Sequence, residues 1–475
     1  YKRQVKNSGT INVGESSFGI YSLSENGKVE TAGSSVINVA DKAIGIYKKG
    51  GVANVGGVIN VANHTATDAN SEPVGVYGSN GITITDTTSS FNVGDKSYGV
   101  ILANPGLSKT NVYSNSSSSN VNLGNESTFI YTEGSSKVTN NATITSGTNG
   151  KIIAIYGKDG ADIVNNGIID LSHGTGNQGI LVTGASNAVN RGVIKIGKTD
   201  KSDPNNIIYG IGMAAVGGAN ISNERDIYVT ENLGIGMYGD DRGTTLRNSG
   251  NIYLDSSNAS ASNKVQTMMG VFVNNGAKFV NTGNITTTGS YHGNDNVQGL
   301  VGVAVLNGST LENYGKIDID ADSSYGVLIK GTSSNKSIIK NYGEINISGL
   351  KSYGVRYDAD SQGVSGDLPI GTDATPGNVL PALSSGNGRI ASANGAQDYY
   401  APKDPSKTLG GVGIVQLPNG RLAIQRNGVI LNDSQVQTIN YSAPNVNYAF
   451  SNFGVYVDTL GRTRPINVNC LLYTS

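Results

Sequence analysis

The chain has 475 residues, of which 66 are glycine and 24 tyrosine, and charged residues make up only 15%. Lys and Arg number 34 against 35 Asp and Glu, a net charge of −1, so nothing in the balance draws the chain to a nucleic-acid backbone or an anionic membrane surface. No stretch has the apolar length of a membrane helix, and the single cysteine, Cys470, excludes a disulfide framework.

Tyr1 opens the chain without an initiator Met or a charged-then-apolar signal segment, so a fragment of a longer product is expected. From there to residue 358 two half-motifs alternate. The first is Asn-x-Gly-x-Ile: Asn7-x-Gly9-x-Ile11, then the copies beginning at Asn165, Asn190, Asn248, Asn281, Asn313 and Asn341. Degenerate copies start at Asn140 and Asn223. Glycine suits the turn because it takes positive φ at little cost, and the residues after it alternate inward and outward as in a strand. The second half-motif places an apolar residue before Gly and a β-branched one after it. Phe18-Gly19-Ile20, Ile44-Gly45-Ile46, Val74-Gly75-Val76, Tyr98-Gly99-Val100, Leu233-Gly234-Ile235, Met269-Gly270-Val271 and Val301-Gly302-Val303 are the copies before the closing pair.

The repeat is clearest at residues 313–330 and 341–358, which align without a gap at a displacement of 28. Self-similarity at such a period marks a stacked architecture. Ile317 and Ile319 share one strand face and Lys316, Asp318 and Asp320 the other; in Tyr325-Gly326-Val327 alternation sends Tyr325 and Val327 one way, Gly326 and Leu328 the other. Two clear strands per unit, often with a weaker third such as residues 28–31, predict an all-β, right-handed parallel β-helix of roughly a dozen coils. At ordinary strand spacing that is a rod of about 60 Å. Ile and Val form inner columns, and Asn165, Asn190, Asn248, Asn281, Asn313 and Asn341 are placed to stack as an amide ladder. Stretches 63–72, 103–120, 173–177, 198–206, 256–263 and 288–296, rich in Ser, Asn, Asp, Gly and Thr, read as surface loops.

After residue 358 the style changes, and eight of the 11 prolines lie there. Residues 359–410 read as a Pro/Gly-rich loop or crossover, 411–450 as a small antiparallel β-meander with Pro-Asn-Gly and Arg-Asn-Gly turns, 451–469 as a resumption of the repeat, and 470–475 as a non-native tail.

Chemistry is sparse. Asp318, Asp320 and Asp322 are of the type that binds calcium or, in an enzyme, cleaves acidic polysaccharide, but the aligned copy carries Asn346, Ser348 and Leu350, so a solvated outer face is expected. Asp240 and Asp241 read as a turn with a local ion pair. His64, His173 and His292 fall in separate loops, and no paired His, paired Cys or Gly-x-Ser-x-Gly turn is present, so no catalytic, metal or cofactor site is expected. The more promising feature is the column two residues after the second-motif glycine: Tyr21, Tyr47 and Tyr77, with Ile101, Val273, Leu328 and Arg356 in register. Tyrosine offers contact area with few rotors, so these three are candidate surface-binding residues.

Asn-x-Gly-x-Ile followed by Ser-[Phe/Tyr]-Gly-[Ile/Val]-Tyr, together with the stretch at 452–466 running Asn-Phe-Gly-Val-Tyr-Val-Asp-Thr-Leu-Gly-Arg-Thr-Arg-Pro-Ile, resembles the passenger region of the large autotransporter adhesins of fusobacteria. The resemblance implies a type V secreted, non-catalytic passenger displayed at the cell surface and held at the outer membrane only through a C-terminal barrel that lies outside this sequence. It implies attachment to receptors, protein or glycan, on host cells or other bacteria, with no nucleic-acid partner and no defined homo-oligomer. The alternative is a lyase or hydrolase of acidic glycans on the same solenoid.

Overall fold

The computed structural model describes residues 4–65, 67, 71–104, 109–330, 337–357, 389–394 and 396–400, and five short strands between 412 and 468. Among these residues there are strands and turns and no helix, and the strands stack as a parallel β-solenoid. The chain falls into two compact units, 1–258 and 259–475, taken here in turn.

Each coil of the first unit carries three strands, one on each of three faces. The first-face strand follows the Asn-x-Gly turn, as in Thr10–Val13, or a turn in which another residue replaces the Asn, as Thr31 does before Val36–Val39. The second-face strand carries the Gly-[Ile/Val] motif, as in Phe18–Ser22 and Ile44–Lys49, and the third-face strand leads back to the Asn turn, as in Lys28–Thr31. The weak third strand expected at 28–31 is therefore present and recurs. Nine second-face strands, from Phe18–Ser22 to Ile235–Asp240, pair in parallel in unbroken succession. In two coils the third and first faces merge into long strands, Val52–Val61 and Thr83–Val93, with a register shift between Gly57 and Val58. Corners between first and second faces turn on residues with φ near +55°, among them Ser16, Lys42, Lys96 and Glu126.

Register aligns like with like. On the first face Ile37, Ile59, Phe91, Val121, Ile144, Ile169, Ile194, Ile227 and Ile252 form one inner column, each fully buried. Burial of each such side chain contributes about 1.5–3 kcal/mol. Phe91 packs edge-on against Phe129 at 5.3 Å, and the Cβ positions of Gly75 and Gly99 would meet these rings at 2.6 and 2.5 Å. The aromatic core of these coils fits because its neighbours lack side chains.

The asparagine ladder runs down the corner between third and first faces. Asn115, Asn140, Asn165, Asn190, Asn223 and Asn248 are buried, and each Nδ2 donates to the Oδ1 of the next at 2.7–2.8 Å. The predicted members Asn165, Asn190 and Asn248 are joined by both degenerate copies and by Asn115. Asn115 ends the strand Asn111–Asn115, inside a stretch expected to be loop. Asp86 and Thr31 occupy the ladder position in earlier coils; Thr31 Oγ donates to the Gly56 carbonyl and accepts from its amide.

In the second unit, second-face strands from Met269–Val273 to Gln397–Tyr400 stack by the same rule. Ile317 lies opposite Ile345 and Tyr325 opposite Tyr353, as the 28-residue displacement requires. Asn281, Asn313 and Asn341 are fully buried and joined at 2.8 Å. The segment 359–410, expected to be loop or crossover, contributes a further coil: Arg389–Ala393 pairs with Glu344–Ser348 and Gln397–Tyr400 with Tyr353–Tyr357. Val412–Gln416, Leu422–Arg426 and Val429–Ile430 pair antiparallel. Cys470, the 470–475 tail and most of 451–469 lie outside the described residues.

Candidate interaction surface

The second face is where the sequence places its tyrosines, and its geometry starts from the glycine. Register pairs Tyr325 with Tyr353 and Val327 with Val355, passing over the glycine between them. The chain bends there, so glycine and the next residue both face the interior. A Cβ on Gly326 would stand 2.7 Å from Ile345 Cγ2 and 2.7 Å from the Gly354 carbonyl oxygen. Simple alternation therefore fails at this motif: Val327 points inward and Leu328 outward as expected, but Gly326 faces in, and the Tyr325 ring lies outside under the Arg356 guanidinium, 4.7 Å from the ring centre.

The consequence is an outward row set two residues after each glycine position. In the first unit it reads Tyr21, Tyr47, Tyr77, Ile101, Tyr131, Tyr156, Leu181, Ala214 and Tyr238, of which Ala214 alone is buried. At about 4.8 Å per coil this row is about 40 Å long. Tyr21 is 55% exposed, and Tyr47 and Tyr77 are half-buried. The rings of Tyr21 and Tyr47 stack with centroids 5.0 Å apart, those of Tyr47 and Tyr77 likewise at 5.0 Å and only 6° from parallel. Phe18 leans on Tyr21 and Tyr47 at 5.1 and 5.7 Å. Lower down, Tyr131 stands edge-on to Tyr98 and Tyr156.

Polar groups border this row. The Tyr131 hydroxyl donates to Glu133 at 3.2 Å and the Tyr238 hydroxyl to Asp240 at 2.5 Å. Burial, with these carboxylates adding to it, pushes both phenols up; burial, then Tyr47 and Glu133, does the same to Tyr77. These three phenols are thus neutral at physiological pH. Tyr131, Tyr156 and Tyr238 escaped the sequence reading for a visible reason. Phe129 and Ala154 replace the glycine in two coils, and in the third the strand begins at Ile235, so the glycine in register is Gly236 and not Gly234. In the second unit the corresponding row is Phe272, Ala304, Leu328 and Arg356; Val273, expected there, is fully buried.

A family model described as the BigA third pectate lyase-like domain matches residues 172–284. No curated protein and no solved structure gives a significant match. The matched stretch starts within the strand Ile168–Thr175 and ends at the first residue of Asn284–Thr287, so the chain is similar to that domain over a run of its coils.

The acidic residues singled out from sequence are held separately. Lys316 approaches Asp318 at 2.6 Å, His292 approaches Asp320 at 2.6 Å, and Asp322 accepts the amides of Gly293 and Leu350, each at 2.7 Å. The Ser348 hydroxyl and Asp320 both meet Nε2 of His292, at 3.2 and 2.6 Å, whereas a nucleophile relay needs acid and nucleophile on opposite ring nitrogens. Asp240 accepts the Asp241 amide at 2.9 Å as well as the Tyr238 hydroxyl. His64 is buried, with Nδ1 2.7 Å from Asp41, and His173 lies in the strand Ile168–Thr175 and not in a loop. Among the described residues no group of three or more His, Cys, Asp or Glu is placed to hold a metal ion.

Proposed function

We propose that this chain is the solenoid part of a non-catalytic adhesin displayed on a bacterial surface, which attaches to host cells or to other bacteria through the outer row of its second face. The observation that carries the reading is the repetition of that row: eight of nine successive coils of the first unit present an apolar or aromatic side chain at the same outward position, and only the coil of Ala214 does not. Contact area repeated along a scaffold suits attachment, because many weak contacts add when made together. The similarity to a BigA domain and the motif resemblance to fusobacterial autotransporter passengers support surface display, with anchoring at the outer membrane through a β-barrel.

The test is display of the chain on a non-adherent bacterium, with attached cells counted on epithelial layers and on partner bacteria. Attachment above the empty display control is expected, reduced by Tyr47→Ala combined with Tyr156→Ala. Attachment equal to the control on every surface would overturn the reading. Release of unsaturated products from pectin, abolished by Asp318→Asn or Asp320→Asn, would replace it with the lyase.

A further inference from the structure

The outer side of the first face carries a second amide ladder, distinct from the buried one. Asn12, Asn38, Asn60, Asn92 and Asn122 share one register position in five successive coils. Each later Nδ2 donates to the Oδ1 of the coil before, at 2.7–2.8 Å. Their strand neighbours Ile37, Val39, Ile59, Val61, Phe91 and Val93 are buried on the opposite side, so the amides face outward. Asn12 and Asn122 are exposed and the three between them half-buried. A primary amide has two N–H bonds and two acceptor lone pairs, and the ladder consumes one of each per link. Each side chain is left with an N–H to offer a ligand, and all but Asn92, which accepts from both Asn122 and the Ser90 hydroxyl, also with a lone pair.

Charge is missing from this stretch. The first-face segments from Thr10–Val13 to Thr143–Thr145 contain no charged residue; Asp86, in the long strand Thr83–Val93, sits buried at the corner. Charges enter this face only further along, as Asp170 and Lys195, 3.3 Å apart. Beside the amides, two residues earlier on each strand, runs a second outward column of Thr10, Val36, Val58, Ser90 and Asn120.

A flat neutral strip offering hydrogen bonds at every strand spacing, about 4.8 Å, selects a ligand that is itself neutral and repeats at nearly that step. An extended peptide along the same line repeats at about 3.3 Å and falls out of phase. An anionic polymer finds no cation, and a lipid surface finds too little apolar area. We infer that the first face of these coils binds a neutral, extended β-linked glycan laid along the stack, one sugar per coil, with hydroxyls on the asparagine amides and ring C–H faces on Val36 and Val58. This names the receptor chemistry for the adhesin reading and rests on it, while placing the contact on a different face from the tyrosine row.

The experiment is depletion of the full chain from solution by insoluble neutral β-glycans (amorphous cellulose, chitin and xylan), with immobilised heparin and polygalacturonate as anionic comparisons. Retention on at least one neutral glycan and not on the anionic ones is expected. Asn60→Ala with Asn92→Ala should weaken it about tenfold, as loss of two ordinary hydrogen bonds does. Val58→Lys places a long charged side chain on the strip without touching the ladder, and should weaken retention with an unchanged melting temperature. Lys195→Ala, on the same face beyond the strip, should not. Absence of retention on every neutral glycan, or equal retention by Val58→Lys, overturns the inference. If displayed cells still attach in that case the glycan assignment alone fails, and if they do not the adhesin reading fails with it.

Discussion

Asn165 uses its side-chain amide three ways and its backbone carbonyl once. Its Nδ2 donates to Asn190 at 2.8 Å and to the Gly167 carbonyl at 3.3 Å, its Oδ1 accepts from Asn140 at 2.7 Å, and its backbone carbonyl accepts the Arg191 amide at 2.7 Å. Replacing it with alanine strands a buried donor on one side and a buried acceptor on the other, which costs about 1–3 kcal/mol. Asn165→Ala should lower the denaturation free energy by that amount, whereas Asn122→Ala, where water replaces the lost partner, should cost less than about 0.5 kcal/mol. Two aspartates give stability opposite pH slopes. Burial lifts the Asp86 carboxyl above the usual carboxylate range, although the Tyr113 hydroxyl at 2.7 Å and the Thr88 amide at 2.9 Å favour its charged form. A raised acid contributes its stability fully below the unfolded value and loses it as pH climbs through the folded one. Asp41 is the reverse: burial alone would raise it, but the Thr65 amide, His64 and the Thr65 hydroxyl outweigh burial and push it down to about 2. Its contribution is present above the ordinary aspartate value and is lost as pH falls toward 2. In chemical denaturation, Asp86→Asn should raise the midpoint at neutral pH and leave it unchanged in strong acid; Asp41→Asn should lower it at neutral pH and not in strong acid.

The second-face strand depends on a glycine that alternation misplaces. A Cβ on Gly302 would stand 2.5 Å from the Gly326 carbonyl oxygen and 2.6 Å from Ile317 Cγ2, closer than the neighbours tolerate. Gly302→Ala should therefore cost about 1–3 kcal/mol as overpacking, while Gly33→Ala, with nothing within 4 Å, should leave the melting temperature unchanged. The first-face strands and their asparagines were legible because one short motif fixes turn, inward isoleucine and ladder position together. Asn115 was not, because its strand Asn-Val-Tyr-Ser-Asn reads as polar loop until register shows Tyr113 and Asn115 facing inward. Tyr131 and Tyr156 were missed for the opposite reason, since Phe129 and Ala154 fill interior space that glycine leaves empty elsewhere. The tyrosine row was visible in part from sequence, but the outer asparagine strip was not. Its members sit in Ile-Asn-Val, Phe-Asn-Val and Val-Asn-Leu triplets whose alignment across coils only the register reveals.

Within the first unit the strand pairings and the ladder join each coil to its neighbours, so stability is close to a sum of neighbour terms; the exposed ion pair of Lys109 with Glu25, 3.2 Å apart, spans several coils but adds little. Strands lie across the direction in which coils succeed one another, and successive ladder asparagines fall 25, 25, 25 and then 33 residues apart. On the proposed adhesive reading the chain carries load, and tension applied to its ends would meet the hydrogen bonds one row at a time. Stretching single molecules should therefore give a sawtooth in which each drop frees one coil, about 80 Å of slack for 25 residues and about 110 Å for 33. Steps of unequal length, the longest from the coils of 32 and 33 residues, are the expected signature, and rupture of the whole unit in a single drop would contradict it. Such a chain would yield under a pulling cell by paying out length at nearly constant force, as a rope uncoils from a drum, and would rewind when the pull ceased.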